Sequence, residues 1–189
     1  MVLIVIDGLD AAGKNTQAEM LAKKIQIIGK TYLIRSHPNS DNPLGRRAHE
    51  YLYLKGRKAH FAASLFYLAD VYRSILHYSW RRVDYIIFIR YLLGTAYLPS
   101  PIHKIAYRFF RCLVPNTKNM IYLNVSPNEA ERRVKKNRNQ RERFETLQEL
   151  QKVSCKAWDL VSTGGWTIVN GDRNPSEIHE EIISKIKLA

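Results

Sequence analysis

This 189-residue chain has little that would suit a stapled, membrane-spanning or repetitive architecture. Its two cysteines, Cys112 and Cys155, lie far apart and outside any metal-ligand spacing, so reduced thiols in a cytoplasmic protein are expected. No apolar run approaches the roughly 18 residues that a transmembrane helix needs. The opening MVLIVI is too short for the apolar part of a secretion signal and runs straight into a glycine loop. No internal repeat or low-complexity linker divides the chain, so one domain over 1–189 is expected, with a sizeable core. Acidic residues are scarce too. They number 17 against 30 lysines and arginines, a net charge of +13. Such an excess calls for an anionic partner, and nucleic acid and phosphorylated small molecules both qualify.

What is present is a regular alternation. Val2 to Ile6, Thr31 to Arg35, Tyr85 to Ile89, Met120 to Val125 and Trp166 to Val169 read as short apolar strands, the pattern of strands buried on both faces. Helical segments lie between them. Residues 58–79 carry the clearest stripe, with Leu65, Leu68, Ala69, Tyr72, Ile75 and Leu76 assigned to one face. Five strands alternating with helices predict a single α/β domain built on a parallel sheet.

The first strand leads into DGLDAAGKNT, and a helical pattern follows. That strand–loop–helix context makes a phosphate loop credible. Gly8, Leu9, Asp10, Ala11, Ala12, Gly13, Lys14, Asn15 and Thr16 form the expected nucleotide-binding segment. Gly8 and Gly13 permit backbone shapes that turn successive N–H groups toward a phosphate, and the helix start adds its dipole. Lys14 supplies a point charge for the outer phosphates. Asn15 stands where such loops normally place a Ser or Thr on magnesium. Its amide oxygen offers a neutral donor for one metal position, directly or through water. Asp7, just before the loop, is expected to help hold that metal through water.

Asp10 and Gln17 complete GLDAAGKNTQ, and here the chain resembles the thymidylate kinase family, nucleoside monophosphate kinases that phosphorylate dTMP with ATP. The remaining landmarks follow in the family's order: Arg35, His37 and Pro38 for its Arg-x-Pro segment, then PLGRRAHEYL and SLFYLAD. IRYLLGTAYLP stands in for its Asp-Arg-Tyr segment, followed by SPNEAERR, RERFE and VNGDRNPSEI. The resemblance implies a doubly wound, five-stranded parallel sheet flanked by helices, with a short basic lid at about 135–145. It further implies ATP with Mg2+, a homodimer and no membrane or nucleic-acid partner. Asp10 would accept a hydrogen bond from the sugar 3′-hydroxyl, Phe66 would stack on the base, and Tyr97 would sit beside base or sugar. Arg90 would bind the monophosphate and bridge toward the transferred group. Arg35, His37, Asp70 and Arg73 complete the implied acceptor pocket. Without the resemblance, Phe66 reads first as a core residue and Tyr97 as a structural one.

Phosphoryl transfer needs cations on the moving charge. The loop position after Asp10 is Ala11, so the family pattern assigns the catalytic arginine to the lid, where Arg138, Arg141 and Arg143 surround an NRNQ break. On charge alone the same run also reads as a solvated helix face or a nucleic-acid patch.

Four departures from the family pattern stand out. Asn15 replaces the hydroxyl, Ile89 replaces the aspartate before Arg90, Asp70 replaces an arginine, and the spacing from Arg90 to Tyr97 is one residue short. Two alternatives therefore stay open beside a dTMP kinase. One is a kinase for another nucleoside monophosphate such as dUMP, and the other is a non-catalytic nucleotide- or nucleic-acid-binding protein.

Overall fold

The fold was taken from a computed structural model that describes residues 1–54, 57–78, 80–137, 146–186 and 188. Five strands form one sheet: β1 (Val2–Gly8), β2 (Tyr32–Ser36), β3 (Tyr85–Ile89), β4 (Met120–Asn124) and β5 (Thr167–Asn170). Their order is β2-β3-β1-β4-β5 and every pairing is parallel. Register sets Ile4 beside Ile87 and Ile6 beside Ile121. Ile4, Val5, Ile6, Ile87 and Ile121 are fully buried, as both-face burial of a central parallel strand requires.

Among the described residues seven helices surround the sheet: α1 (Lys14–Ile27), α2 (Pro43–Tyr53), α3 (Arg57–Tyr78), α4 (Ile102–Leu113), α5 (Pro127–Asn137), α6 (Leu147–Val161) and α7 (Pro175–Ile186). α1 packs on β1, β2 and β3 and against α7, while α2 lies along α3. A 3-10 turn at Leu93–Tyr97, absent from the sequence expectation, is the junction where α3, α4 and α6 meet.

The order of strands positions the site. The chain leaves β1 for β2 on one flank and later crosses to β4 on the other, so the carboxyl end of β1 is a topological switch point. The loop from Gly8 to Gly13 opens there, flanked by the ends of β3 and β4. Gly8 cannot be replaced cheaply, because a Cβ at that position would lie 2.7 Å from the Leu123 carbonyl oxygen. Gly13, at φ 88°, turns the chain into α1 with no side-chain cap. The N-terminus of α1 therefore opens onto the loop.

One helix face differs from expectation. α3 turns Ala63, Tyr67, Leu68, Val71 and Ile75 inward, whereas Leu65, Tyr72 and Leu76 are exposed. The helix is apolar around most of its circumference, so periodicity could not choose the core side. Leu68 and Ile75 point in, and the rest of the expected stripe forms a second, outward face with Phe61.

Candidate phosphoryl-transfer site

A cleft of about 210 Å³ lies over the loop, lined by Ala11, Ala12, Gly13, Lys14, Asn15, Thr16, Arg90, Arg133 and Val134. Lys14 is buried, and its ammonium donates to the carbonyls of Gly8 and Leu9. Asn15 and Thr16 are exposed at the first turn of α1. The loop's conformation is helped by Ala11, which adopts the left-handed region at φ 58°.

Asp10 is the hub of the site. Its carboxylate accepts from Arg90 Nη2 at 2.9 Å and from the Tyr97 hydroxyl at 2.8 Å. Burial alone would raise its pKa. The charges of Arg90 and Lys14, with the hydrogen bonds from Arg90 and Tyr97, outweigh that and hold it well below the usual carboxylate range. Burial acts on its partners too, but Asp10 keeps Arg90 firmly protonated, and burial followed by the Asp10 charge raises Tyr97.

Arg90 itself sits at φ 59° just past β3, a left-handed conformation that costs a side-chain-bearing residue about 1–2 kcal/mol. Its neighbours hold it there. Arg90 N–H donates to the Ile6 carbonyl at 3.1 Å, and the Arg90 carbonyl lies 3.0 Å from His37 Nδ1. Asp7 accepts from Tyr91 N–H at 2.9 Å, Leu93 N–H at 3.1 Å and Gly8 N–H at 2.9 Å. Asp7 is 2% exposed, so its expected part in a metal shell gives way to a structural one: both oxygens are committed to backbone donors. Burial raises its pKa against the opposing pull of the Tyr91 N–H and Lys14.

The residues expected from the sequence on the acceptor side are arranged differently. Arg35 is nearly inaccessible and donates to Asp41, to Asp70 at 3.4 Å and to the Ser74 hydroxyl at 3.2 Å. Asp70, with no exposed surface, also accepts from Asn39 N–H at 2.9 Å and Asn42 Nδ2 at 2.7 Å. Asn42 in turn caps α2 through Leu44 and Gly45 N–H, both at 3.0 Å. Phe66 stacks on Tyr51 at 5.5 Å, and the Arg47 guanidinium lies 5.6 Å from its ring centre. Arg73 is half-buried, with Nη1 inaccessible and without a hydrogen-bond partner.

The structure thus gathers Asp10, Lys14, Arg90 and Tyr97 into one cluster beside the cleft, with Asn15 and Thr16 on its rim. Arg35, His37 and Asp70 have their polar atoms directed largely to other protein groups. Arg138, Arg141 and Arg143 lie outside the described residues. Arg133 stands just before the expected lid and was not singled out from the sequence. It lines the cleft directly, held by Glu129 at 2.7 Å and by the Gly171 carbonyl at 2.9 Å. The Glu129–Arg133 i,i+4 spacing was the available signal. Asp41, the strongest partner of Arg35, was missed because its role depends on how the loop after β2 folds back.

A phosphate loop at the switch point of a parallel sheet, facing a strand-end arginine, defines a P-loop kinase. The profile of the family described as Thymidylate kinase matches residues 6–182, so the chain belongs to the thymidylate kinase family. A probable thymidylate kinase of Pyrobaculum aerophilum is 28% identical over 99% of this chain and 97% of that protein. The thymidylate kinase of Danio rerio is 24% identical over 95% of this chain and 87% of its own length. Among solved structures, Candida albicans thymidylate kinase aligns with a TM-score of 0.71 at 21% identity, covering 98% of this chain and 92% of that one. A deoxyadenosine kinase from M. mycoides, solved with bound dATP, aligns at 0.69 and 20% identity, covering 99% and 100%. At these identities the two structures support the fold alone.

Proposed function

We propose that this chain transfers the γ-phosphoryl group of ATP to dTMP, giving dTDP and ADP. The observation that carries the reading is the convergence of Lys14, Arg90, Asp10 and Tyr97 at the carboxyl ends of β1 and β3. The loop N–H groups and Lys14 hold the donor phosphates. Arg90 neutralises the acceptor monophosphate, and Asp10 with Tyr97 takes the sugar hydroxyl. Arginines of the lid, Arg138, Arg141 and Arg143, complete the charge on the transferred group. Most of the catalysis in such a reaction is positioning and charge stabilisation, which these groups supply.

Magnesium fits this cleft as an ion carried largely by phosphates and water. Among the described residues no group of three His, Cys, Asp or Glu side chains is placed to hold a metal. Asn15 is exposed on the cleft lining and would offer its amide oxygen to the ion, and Asp7 is committed elsewhere. Bound there, the ion would neutralise the β- and γ-phosphate charge.

A kinase for a related monophosphate such as dUMP is the second reading. It rests on Asp70, whose acidic side chain is turned into the Arg35 network on the acceptor side. The exposed apolar row Phe61, Leu65, Tyr72 and Leu76 on α3 supports a homodimer formed through that helix. No helix among the described residues is long and apolar enough to cross a membrane, and the reading places the enzyme in the cytoplasm. A coupled assay of ADP formation with magnesium, ATP and a panel of monophosphates tests the proposal. Turnover highest with dTMP is expected. Preference for another base would favour the second reading, and no turnover with any acceptor would sink both.

A further inference from the structure

Arg90, one of the two left-handed side-chain-bearing residues at the site, is braced on both sides. Its carbonyl meets His37 Nδ1 at 3.0 Å. A carbonyl can only accept, so Nδ1 carries the proton and donates. His37 has no exposed surface, and its ring stands edge-on to Phe88 at 5.1 Å and 85°. Its own N–H donates to the Ile89 carbonyl at 3.0 Å, so backbone and ring of one residue hold the carbonyls of the two peptide units that flank the Arg90 Cα. On the far side Asp7 takes Tyr91 and Leu93 N–H, and the Tyr67 hydroxyl donates to the Tyr91 carbonyl at 3.2 Å.

We propose that His37 and Asp7 are positioning residues that fix the Arg90 backbone in its left-handed conformation and thereby aim the guanidinium at Asp10 and the loop cleft. The inference rests on the kinase reading for its activity test, and it moves His37 from substrate contact to support. An arginine released from this turn would swing with an ordinary β or αR backbone, and its side chain would leave the cleft. His37 Nε2 has no partner, and burial pushes the ring pKa down to about 4, so the neutral ring suits this duty.

The test compares His37→Leu, which deletes the donor, with His37→Asn, which can restore it from an amide. His37→Leu is expected to lower kcat/KM for dTMP about 30-fold, within the range that misplacing a reacting group costs, with KM for ATP changed less than about twofold. His37→Asn is expected to recover most of that loss. In an Arg90→Ala background, His37→Leu is expected to weaken dTMP binding by less than about twofold, because the two changes act on one element. Equal losses in both backgrounds would overturn the proposal, as would equal damage to the ATP and dTMP constants. A substrate-free reading separates this from the assigned activity. Histidine 15N spectra at pH 7 should show His37 as the neutral Nδ1–H tautomer, whereas an Nε2–H tautomer or a cationic ring would overturn the clamp even in an active enzyme. If no monophosphate is turned over, the kinase reading fails and this spectrum still decides the clamp.

Discussion

The two halves of the site are built by different means. The loop from Gly8 to Gly13 on the donor side, and the turn after β3 where the halves meet, rely on backbone: positive φ at Ala11, Gly13 and Arg90, and N–H groups collected by Asp7. On the acceptor side, Arg35, Asp41, Asp70 and Asn42 form a network of side chains between the β2 loop, α2 and α3. A backbone-built half tolerates changes of side chain provided its glycines and buried anchors remain. A side-chain-built half changes its properties with each substitution. On the proposed function, the departure at Asp70 therefore bears on which acceptor is chosen, and the one at Asn15 bears mainly on how the metal is held.

That contrast can be broken most sharply at its meeting point. Arg90→Ala removes the cation shared by both halves and should lower kcat by about 10²–10³-fold, as loss of a charge-stabilising donor does. Its thermal stability should fall less than its activity. A loss confined to KM for ATP would contradict the acceptor-side placement.

The next effect is expected on stability. Asp70→Asn weakens the charge partner of Arg35 while leaving a side chain of similar shape. A decrease of about 1–3 kcal/mol in unfolding free energy is expected, the usual cost of a spoiled buried hydrogen-bonded group. Denaturant melts would measure it. Unchanged stability, with a changed ranking of monophosphates, would make Asp70 a specificity residue instead.

The smallest effect concerns pH. Asp10 is held below its ordinary value near 3.8, so it contributes stability that is present above that value and lost as the pH falls through its folded pKa. Asp7 is raised, so its contribution has the opposite sign: it is present below the ordinary value and lost as the pH rises through its folded pKa. Asp10→Asn should flatten the acid limb of the melting temperature below about pH 4, near the ordinary aspartate pKa. Asp7→Asn should not flatten it. Identical limbs in the wild type and Asp10→Asn would show that other carboxylates set acid stability.

The halves also differed in how far the sequence revealed them. All five strands and the loop were legible, because buried parallel strands are continuous apolar runs and the glycines mark a turn. Lys14 was legible because the loop it serves is contiguous in sequence, and Arg90 because IRYLLGTAYLP resembles the family's Asp-Arg-Tyr segment, although its partner Asp10 lies 80 positions away. The Arg35 network was not, since Asp41 and Asp70 reach it only after a loop folds back onto a helix. The core side of α3 was hidden by its nearly continuous apolarity. The service of Asp7 to Tyr91 and Leu93 spans more than 80 positions, and no local pattern announces such a contact.

The conformation of Arg90 has a consequence for drift. Its backbone, at φ 59°, is one that glycine adopts freely and arginine resents. Every arginine codon lies a single base from a glycine codon. A one-base replacement is thus at hand that the chain would fold around readily and that the proposed reaction would not survive. On the proposed function, what favours an arginine at this turn is the chemistry it would perform, against the preference of the peptide that carries it.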